Sequence, residues 1–105
     1  GTMKLQKTDE AAFSAALPSP MPPFGEATHV QGASVQTAGS LVHIVSGGRF
    51  KRFPAGSERI RIERGAGYFK WARGETPFAA GDTFLAEGLE EYELNGAGEF
   101  LVVKS

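Results

Sequence analysis

The sequence predicts an all-β fold, an antiparallel sandwich or barrel, preceded by a short helix and a proline-rich arm. From Ser34 onward, turn signals containing glycine recur at short and regular intervals, as they do in sandwiches and barrels. The segments between these turns are rich in β-branched and aromatic residues and are too short for core helices. They cover residues 41–45, 49–53, 58–63, 68–71, 83–86, 91–94 and 99–103. Strands that follow one another through tight turns exclude a parallel α/β sheet.

The chain has 105 residues, a length that suits one domain with its own core. Eleven basic residues against twelve acidic ones give a net charge of −1, so neither nucleic acid nor a membrane surface is a predicted partner. The absence of cysteine excludes disulfides and thiolate nucleophiles, and it is compatible with a reducing compartment. No apolar run approaches the roughly 18 residues that span a bilayer. We therefore expect a cytoplasmic protein without a cofactor.

The composition and the turn signals divide the chain into three stretches. Residues 1–3 have the character of a cloning remnant, with the natural start at Met3. We expect residues 4–33 to form a helix and an arm that pack on a barrel, and residues 34–105 to form the barrel itself.

The N-terminal stretch carries start and stop signals for a helix. The run 8–10 (Thr-Asp-Glu) offers an N-cap and acidic side chains for the N-terminus of a short helix over residues 11–17. Pro18 would end this helix. Four prolines then interrupt residues 18–25, which we expect to form an extended strap across the barrel.

Residues 58–63 show the clearest strand alternation in the chain. Ile60 and Ile62 share one face with Glu58, while the intervening charged residues occupy the other face. If the isoleucines point into the core, Glu58 points inward as well.

Gly47 and Gly48 have the composition of a two-residue hairpin turn. They separate the strand at 41–45 from the strand at 49–53. The sequence therefore predicts that these two strands are antiparallel neighbours.

Residues 46–103 resemble the cupin superfamily. Its first motif contains a His-X-His pair, three or four residues, a glutamate, six residues and a glycine, and the last spacing matches Glu58 and Gly65. The histidine positions hold other residues under both spacings, either Arg52 and Pro54 or Lys51 and Phe53. The resemblance implies a jelly-roll barrel, also called a double-stranded β-helix, in which the usual metal-binding histidines are missing.

The second cupin motif is similar to residues 81–95, where Gly81 fits the opening turn. An alignment with one deletion places Glu91 at the motif's histidine position, and an alignment without gaps places Tyr92 there. Alternation favours Tyr92 and Leu94 as the inward pair, which would turn Glu91 outward unless a bulge intervenes.

Metal chemistry of the cupin kind needs imidazole ligands, because neutral nitrogen donors hold first-row metals while leaving positions open for substrate. The chain contains only His29 and His43, and we expect both to be structural. Glu58 and Glu91 with water are weak candidates for a carboxylate metal site, and the adjacent cation of Arg52 opposes it. The sequence therefore predicts no metal.

Arg52 and Glu58 are predicted to pair, since two inward charges near a barrel mouth must be paired or hydrated. Such a pair either replaces the metal structurally or recognises a small polar or anionic molecule, sugar-like or carboxylate, through the guanidinium fork. Tyr92 and Trp71 supply ring surface for stacking or for the core, and His43 completes the set of ligand-binding candidates.

The favoured function is a non-catalytic barrel that binds a small polar or anionic molecule in its interior. One alternative is a metal-assisted isomerase or oxygenase that uses carboxylates, and another is a dimeric structural or regulatory module. No Ser-His-acid order supports nucleophilic catalysis.

Residues 99–103 are apolar on both faces, so their outward side chains either form a homodimer interface, which the resemblance also implies, or lie beneath the helix and arm.

Overall fold

The computed structural model describes residues 3–105. The prediction of a cloning remnant at residues 1–3 falls largely outside this range. The elements in chain order are β1 (Lys4–Thr8), α1 (Glu10–Ala16), β2 (Thr28–Val30), β3 (Ala33–Ala38), β4 (Leu41–Ser46), β5 (Arg49–Arg52), β6 (Glu58–Trp71), β7 (Gly74–Ala79), β8 (Thr83–Glu87), β9 (Tyr92–Asn95) and β10 (Gly98–Lys104). No helix in the described range is long and apolar enough to cross a membrane.

The strands form two antiparallel sheets that share one strand. The large sheet has the order β1-β8-β6-β10-β4-β3-β2, and the small sheet has the order β5-β9-β6-β7. The predicted all-β jelly-roll with a short N-terminal helix is confirmed. Strand alternation places one face of each sheet toward the other, and the barrel interior lies between them.

Strand β6 belongs to both sheets because it bends in its middle. Its first half pairs with β8 and β10, and its second half pairs with β7 and β9. Gly65 has a φ of +97°, and a Cβ on Gly67 would lie 1.9 Å from the carbonyl oxygen of Asn95. Glycine is required at both positions, for backbone conformation and for close approach. The turn signal at residues 65–67 therefore marks a bend within one strand, and the prediction of two separate strands is wrong.

The predicted helix is confirmed, one residue earlier than expected. Asp9 is its N-cap, and the Asp9 side chain accepts a hydrogen bond of 2.9 Å from the backbone nitrogen of Ala12. This bond satisfies one of the otherwise unpaired amides of the first turn. Leu17 leaves the helical conformation immediately before Pro18, as the proline requires.

Helix α1 covers the outer face of the large sheet. Phe13 is fully buried there against Leu41, Leu101 and Val103. The guanidinium of Arg61 lies 4.8 Å from the Phe13 ring centroid, in a cation–π contact. The outward apolar residues of β10 are thus covered within the chain, which is the second of the two alternatives for residues 99–103.

The barrel interior is packed with aromatic rings. Phe69 contacts three other rings at centroid distances of 4.7–5.9 Å in tilted or edge-to-face arrangements, which are favourable for aromatic pairs. Ile60 and Ile62 are buried in this cluster, so the inward face predicted for β6 is confirmed. Glu58 shares that face and is 1% exposed.

The prediction of a hairpin at Gly47 and Gly48 is wrong. Strand β4 pairs with β3 and β10, whereas β5 pairs with β9 in the other sheet. The two glycines carry the chain from one sheet to the other, a geometry that a tight hairpin turn does not allow. In the stretch 4–33 the structure also contains β1 and β2, which pair with β8 and β3.

The tip of the β2–β3 hairpin fastens the edge of the small sheet. Gln31 and Gly32 form the turn with φ values of 54° and 75°. The Gln31 side chain accepts a hydrogen bond of 2.9 Å from the Lys51 backbone nitrogen and donates one of 3.1 Å to the Lys51 carbonyl. A side-chain amide therefore occupies the donor and acceptor that β5 would otherwise offer to another strand.

Candidate functional site

The predicted pair of Arg52 and Glu58 is present at the junction of the two sheets. Arg52 ends β5, Glu58 begins β6, and the loop 53–57 returns the chain between them. Arg52 donates from Nε to Glu58 Oε2 over 3.1 Å and from Nη2 to Oε1 over 2.7 Å. This is the two-point geometry that a guanidinium forms with a carboxylate. The side chains are 17% and 2% exposed, so the pair is largely removed from water.

Tyr92 completes a buried cluster with these two residues. Its hydroxyl donates to Glu58 Oε2 over 2.5 Å, and its backbone lies opposite Arg52 in the small sheet. Burial, together with the nearby carboxylate of Glu58, raises the pKa of the Tyr92 phenol well above its ordinary value. Burial alone would lower the pKa of Arg52, but the hydrogen bond to Glu58 and the nearby Tyr92 raise it overall. The phenol therefore stays protonated and the guanidinium stays charged.

This cluster does not fit a metal ion. Both Glu58 oxygens already accept hydrogen bonds, and the guanidinium of Arg52 has no lone pair to offer. Glu91 faces outward, half exposed, with its carboxylate 3.6 Å from Lys51 Nζ. The weak candidates Glu58 and Glu91 are therefore not brought together. Within residues 3–105 no group of three or more His, Cys, Asp or Glu side chains is arranged to hold a metal.

Three of the predicted site residues form one inward row across the end of the small sheet. Arg52 on β5 lies opposite Tyr92 on β9. On the other side of β9, Glu93 lies opposite Lys70 of β6, and the residue that follows Lys70 is Trp71. Trp71 thus lies beside Tyr92 on the next strand. Tyr92 is the inward residue that alternation favours, and Glu91 is the outward one.

A cleft opens at the Trp71 end of this row. Its volume is about 310 Å³, and it is lined by Met3, Lys70, Trp71, Ala72, Glu90, Glu91, Tyr92 and Glu93. Trp71 is partly buried against the core, and its ring lies 3.7 Å from where a Cβ on Gly74 would be. The Trp71 Nε1 atom is buried and has no hydrogen-bond acceptor within the described chain.

Carboxylates dominate the rim of the cleft. Arg49 holds Glu93 from outside the barrel through bonds of 2.9 and 3.0 Å. This hydrogen bonding lowers the pKa of Glu93 from 4.5 to about 2. Glu90 and Glu91 are exposed beside it.

The sequence did not indicate Met3, Lys70 or Glu90 as residues of the site. They meet only in the folded chain, and no local pattern marks them.

His43 lies away from the cluster. It is on the outer face of β4, where its Nε2 is 2.7 Å from Glu99 Oε2 and its ring is tilted against Phe24 at a centroid distance of 5.8 Å. His29 is exposed on β2. Neither histidine lies beside Arg52, so the structure brings together four of the five ligand-binding candidates and leaves His43 apart.

No family model matches the chain, and no curated protein matches it. Among solved structures, it is similar to the mannose 6-phosphate isomerase of Bacillus subtilis, with a TM-score of 0.64 and 14% identity over 81% of this chain and 30% of that one. It is also similar to the E264A mutant of phosphomannose isomerase from Salmonella typhimurium, with a TM-score of 0.59 and 7% identity over 75% of this chain and 22% of that one. The chain spans less than a third of the length of these enzymes. At such low identity the likeness shows the fold alone, a cupin-like jelly-roll barrel.

Proposed function

We propose that this chain is a non-catalytic cupin-like barrel that binds a small, neutral, sugar-like molecule in the cleft beside Trp71 and Tyr92. The observation that carries the proposal is the inward row of Arg52, Tyr92 and Trp71, which ends at a cleft of about 310 Å³. This volume is at the small end of the range for ligand pockets and suits a single ring.

The chemistry of the lining favours a polyol. The Trp71 indole offers an apolar surface against which the C–H face of a sugar ring can pack. Glu90 and Glu91 supply carboxylate acceptors for hydroxyl groups, and Lys70 supplies an ammonium donor. Arg49 is paired with Glu93 and Lys51 with Glu91, so with Lys70 and Glu90 the charges around the cleft balance. An anionic ligand would gain no net attraction there to offset its lost hydration, so a neutral sugar is preferred over a carboxylate or a phosphate ester.

Arg52 has a supporting role in this proposal. Its fork is engaged with Glu58, so it does not present two free donors to a ligand. The pair instead holds the hydroxyl of the fully buried Tyr92, and thereby fixes the start of β9, from which Tyr92 and Glu93 line the cleft. Arg52 is therefore a positioning residue.

The solved structures that resemble this fold are named for activity on phosphorylated mannose. Those names support the sugar class as the first to test. The low identity and the small share of those enzymes that this chain covers give no support to their reaction in this chain.

Trp71 is the only tryptophan in the chain, so intrinsic fluorescence reports on the cleft directly. We expect a saturable change on titration with mannose, with a Kd on the order of 1 mM, and weaker binding of mannose 6-phosphate. Trp71→Phe should weaken mannose binding by about tenfold when binding is followed by calorimetry or by NMR. Phe53→Ala is the matched control, because Phe53 is an aromatic side chain 65% exposed that does not line this cleft.

The proposal would be overturned if mannose, glucose and galactose at roughly fiftyfold the expected Kd left the fluorescence and the amide shifts of the cleft residues unchanged. Equal weakening by Trp71→Phe and Phe53→Ala would also count against this cleft. Tighter binding of mannose 6-phosphate than of mannose would contradict the preference for a neutral ligand.

A further inference from the structure

Two charged side chains of the cleft lie directly opposite each other on neighbouring strands. Glu93 of β9 is opposite Lys70 of β6, so their Cβ atoms are about 5 Å apart, close enough for an ion pair. They do not form one. Among residues 3–105, Lys70 has no carboxylate within ion-pair distance, and the carboxylate of Glu93 is held by Arg49 of β5 instead.

Arg49 fixes the direction of the Glu93 carboxylate. Its Nε donates to Oε1 over 2.9 Å and its Nη2 donates to Oε2 over 3.0 Å, so both arms of the fork are used. Asn95 also donates to Oε1, over 3.3 Å. A carboxylate offers about four acceptor positions, and these bonds leave one of them, on Oε2, for a further donor.

The contact between Arg49 and Glu93 leaves Lys70 as an ammonium without a carboxylate partner on the wall of the cleft. The Lys70 side chain is exposed and lines the cleft together with Glu93. An ammonium has donors and no acceptor, whereas the remaining position of the Glu93 carboxylate is an acceptor only. The wall therefore presents a donor and an acceptor side by side, one strand spacing apart.

We propose that Arg49 is a positioning residue, which keeps Glu93 away from Lys70 so that these two side chains bind adjacent hydroxyl groups of one sugar ring. One hydroxyl donates to Glu93 Oε2, and the hydroxyl on the neighbouring ring carbon accepts from Lys70 Nζ. This inference rests on the proposed function, because it assigns a role within the same cleft. It also narrows the ligand to sugars in which two neighbouring carbons both carry a free hydroxyl.

Two deoxy analogues of methyl mannoside test the need for adjacent hydroxyls. Removal of the 3-hydroxyl leaves no two neighbouring ring carbons with free hydroxyls, whereas removal of the 6-hydroxyl leaves every such pair intact. In NMR titrations we expect the 3-deoxy analogue to bind about tenfold more weakly than methyl mannoside, because a hydrogen bond to a charged group is lost. The 6-deoxy analogue should bind within about threefold of methyl mannoside. Equal binding of the two analogues would overturn the shared role of Glu93 and Lys70.

Arg49→Gln tests the positioning role. The variant releases Glu93 to pair with Lys70, so we expect it to weaken the binding of methyl mannoside about tenfold and to leave the weak binding of the 3-deoxy analogue nearly unchanged. A general loss of structure would weaken both ligands alike. Arg64→Gln is the matched control, because Arg64 is 68% exposed, lies beside Glu99 and does not line this cleft. Far-UV circular dichroism checks that both variants fold.

The pH profile of binding gives a second readout. The hydrogen bond from Arg49 lowers the pKa of Glu93 from 4.5 to about 2, although burial acts in the opposite direction. Without Arg49 we expect this pKa to return toward 4.5, so the variant loses its carboxylate acceptor as the pH falls, while the wild type keeps it. The ratio of the variant's Kd to the wild-type Kd should rise by about threefold from pH 6 to pH 4.

The other charged or titratable groups around Glu93 are the same in both proteins, so their effects cancel in this ratio. They are Lys51 of β5, Tyr68 and Lys70 of β6, and Glu90 and Glu91 before β9. A ratio that stays constant between pH 6 and pH 4 would reject the role of Arg49.

Equal Kd values for Arg49→Gln and Arg64→Gln, with mannose still bound by the wild type, would reject the role of Arg49 and leave the sugar site in place. Absence of mannose binding by the wild type would instead overturn the proposed function, and this inference with it.

Discussion

Tyr92 and Glu58 join the two sheets of the barrel through a buried hydrogen bond of 2.5 Å from the phenol to the carboxylate. The carboxylate comes from β6 in the large sheet, and the phenol comes from β9 in the small sheet. Because Arg52 donates to the same carboxylate, every polar atom of Glu58 is satisfied. A cluster of this kind costs much free energy to break and little to replace as a whole.

Breaking the cluster at one member should therefore be more damaging than replacing it. We expect Glu58→Leu to lower the free energy of unfolding by about 3 kcal/mol, because it leaves the Arg52 guanidinium buried without its partner. Adding Arg52→Met and Tyr92→Phe to Glu58→Leu should bring stability back to within about 1 kcal/mol of wild type. Urea denaturation of the single and triple variants measures both values. Additive losses in the triple variant would show that the three side chains do not act as a unit.

The raised pKa of Tyr92 gives a dependence of stability on pH. The folded chain keeps the phenol proton above the ordinary value of 10.0, while the unfolded chain loses it. The stabilising contribution is thus complete below pH 10 and falls as the pH rises from there toward the folded pKa. We expect the stability difference between wild type and Tyr92→Phe to shrink above pH 10 in urea titrations. A difference that stays constant from pH 8 to pH 11 would be inconsistent with a phenol held protonated.

The Gln31 side chain should stabilise the edge of the small sheet. Gln31→Ala removes both bonds to the Lys51 backbone, and we expect a loss of about 1 kcal/mol in the free energy of unfolding. Gln31→Gly should be more stable than Gln31→Ala, since φ is 54° at this position and glycine adopts that conformation without strain. Gln6→Ala is the control, because Gln6 is an exposed glutamine on β1, the edge strand of the large sheet. Equal effects at positions 31 and 6 would refute the fastening role.

The bend in β6 should tolerate no side chain at Gly67. A Cβ there would lie 1.9 Å from the Asn95 carbonyl oxygen and 2.9 Å from the Phe78 ring. We expect Gly67→Ala to lose more than about 3 kcal/mol or to fail to fold. Gly48→Ala has open space around its Cβ and should change stability by less than about 0.5 kcal/mol. Similar thermal midpoints for the two variants would contradict the close approach.

Patterns within a few residues predicted the features of this fold that depend on neighbours in the chain. The capped helix, the inward face of Glu58 and the inward orientation that alternation favours for Tyr92 all follow from spacing within a few residues. The Arg52–Glu58 pair was also predictable, because two charges turned toward a barrel interior need each other. Each of these expectations used residues close together in the chain.

The errors concern which strands become neighbours. The two glycines at 47 and 48 suit a hairpin, and only the competition of β3 and β10 for the edges of β4 separates it from β5. Strand β1 contains one buried residue, Leu5, which is too weak an alternation to recognise. The cleft beside Trp71 also depends on Met3 and Glu90, which the tertiary fold alone brings together.

The passage of β6 through both sheets ties the barrel into one cooperative unit. Its backbone amides pair with β8 and β10 at one end and with β7 and β9 at the other, so separating either sheet pulls on the other. Partial opening that spares β6 is then confined to the margins, such as β2 and the N-terminal arm. Amide hydrogens of β6 should exchange with solvent only through global unfolding, at a rate set by the full stability of the chain. A barrel closed by one shared strand keeps its mouth in a fixed shape while its edges move.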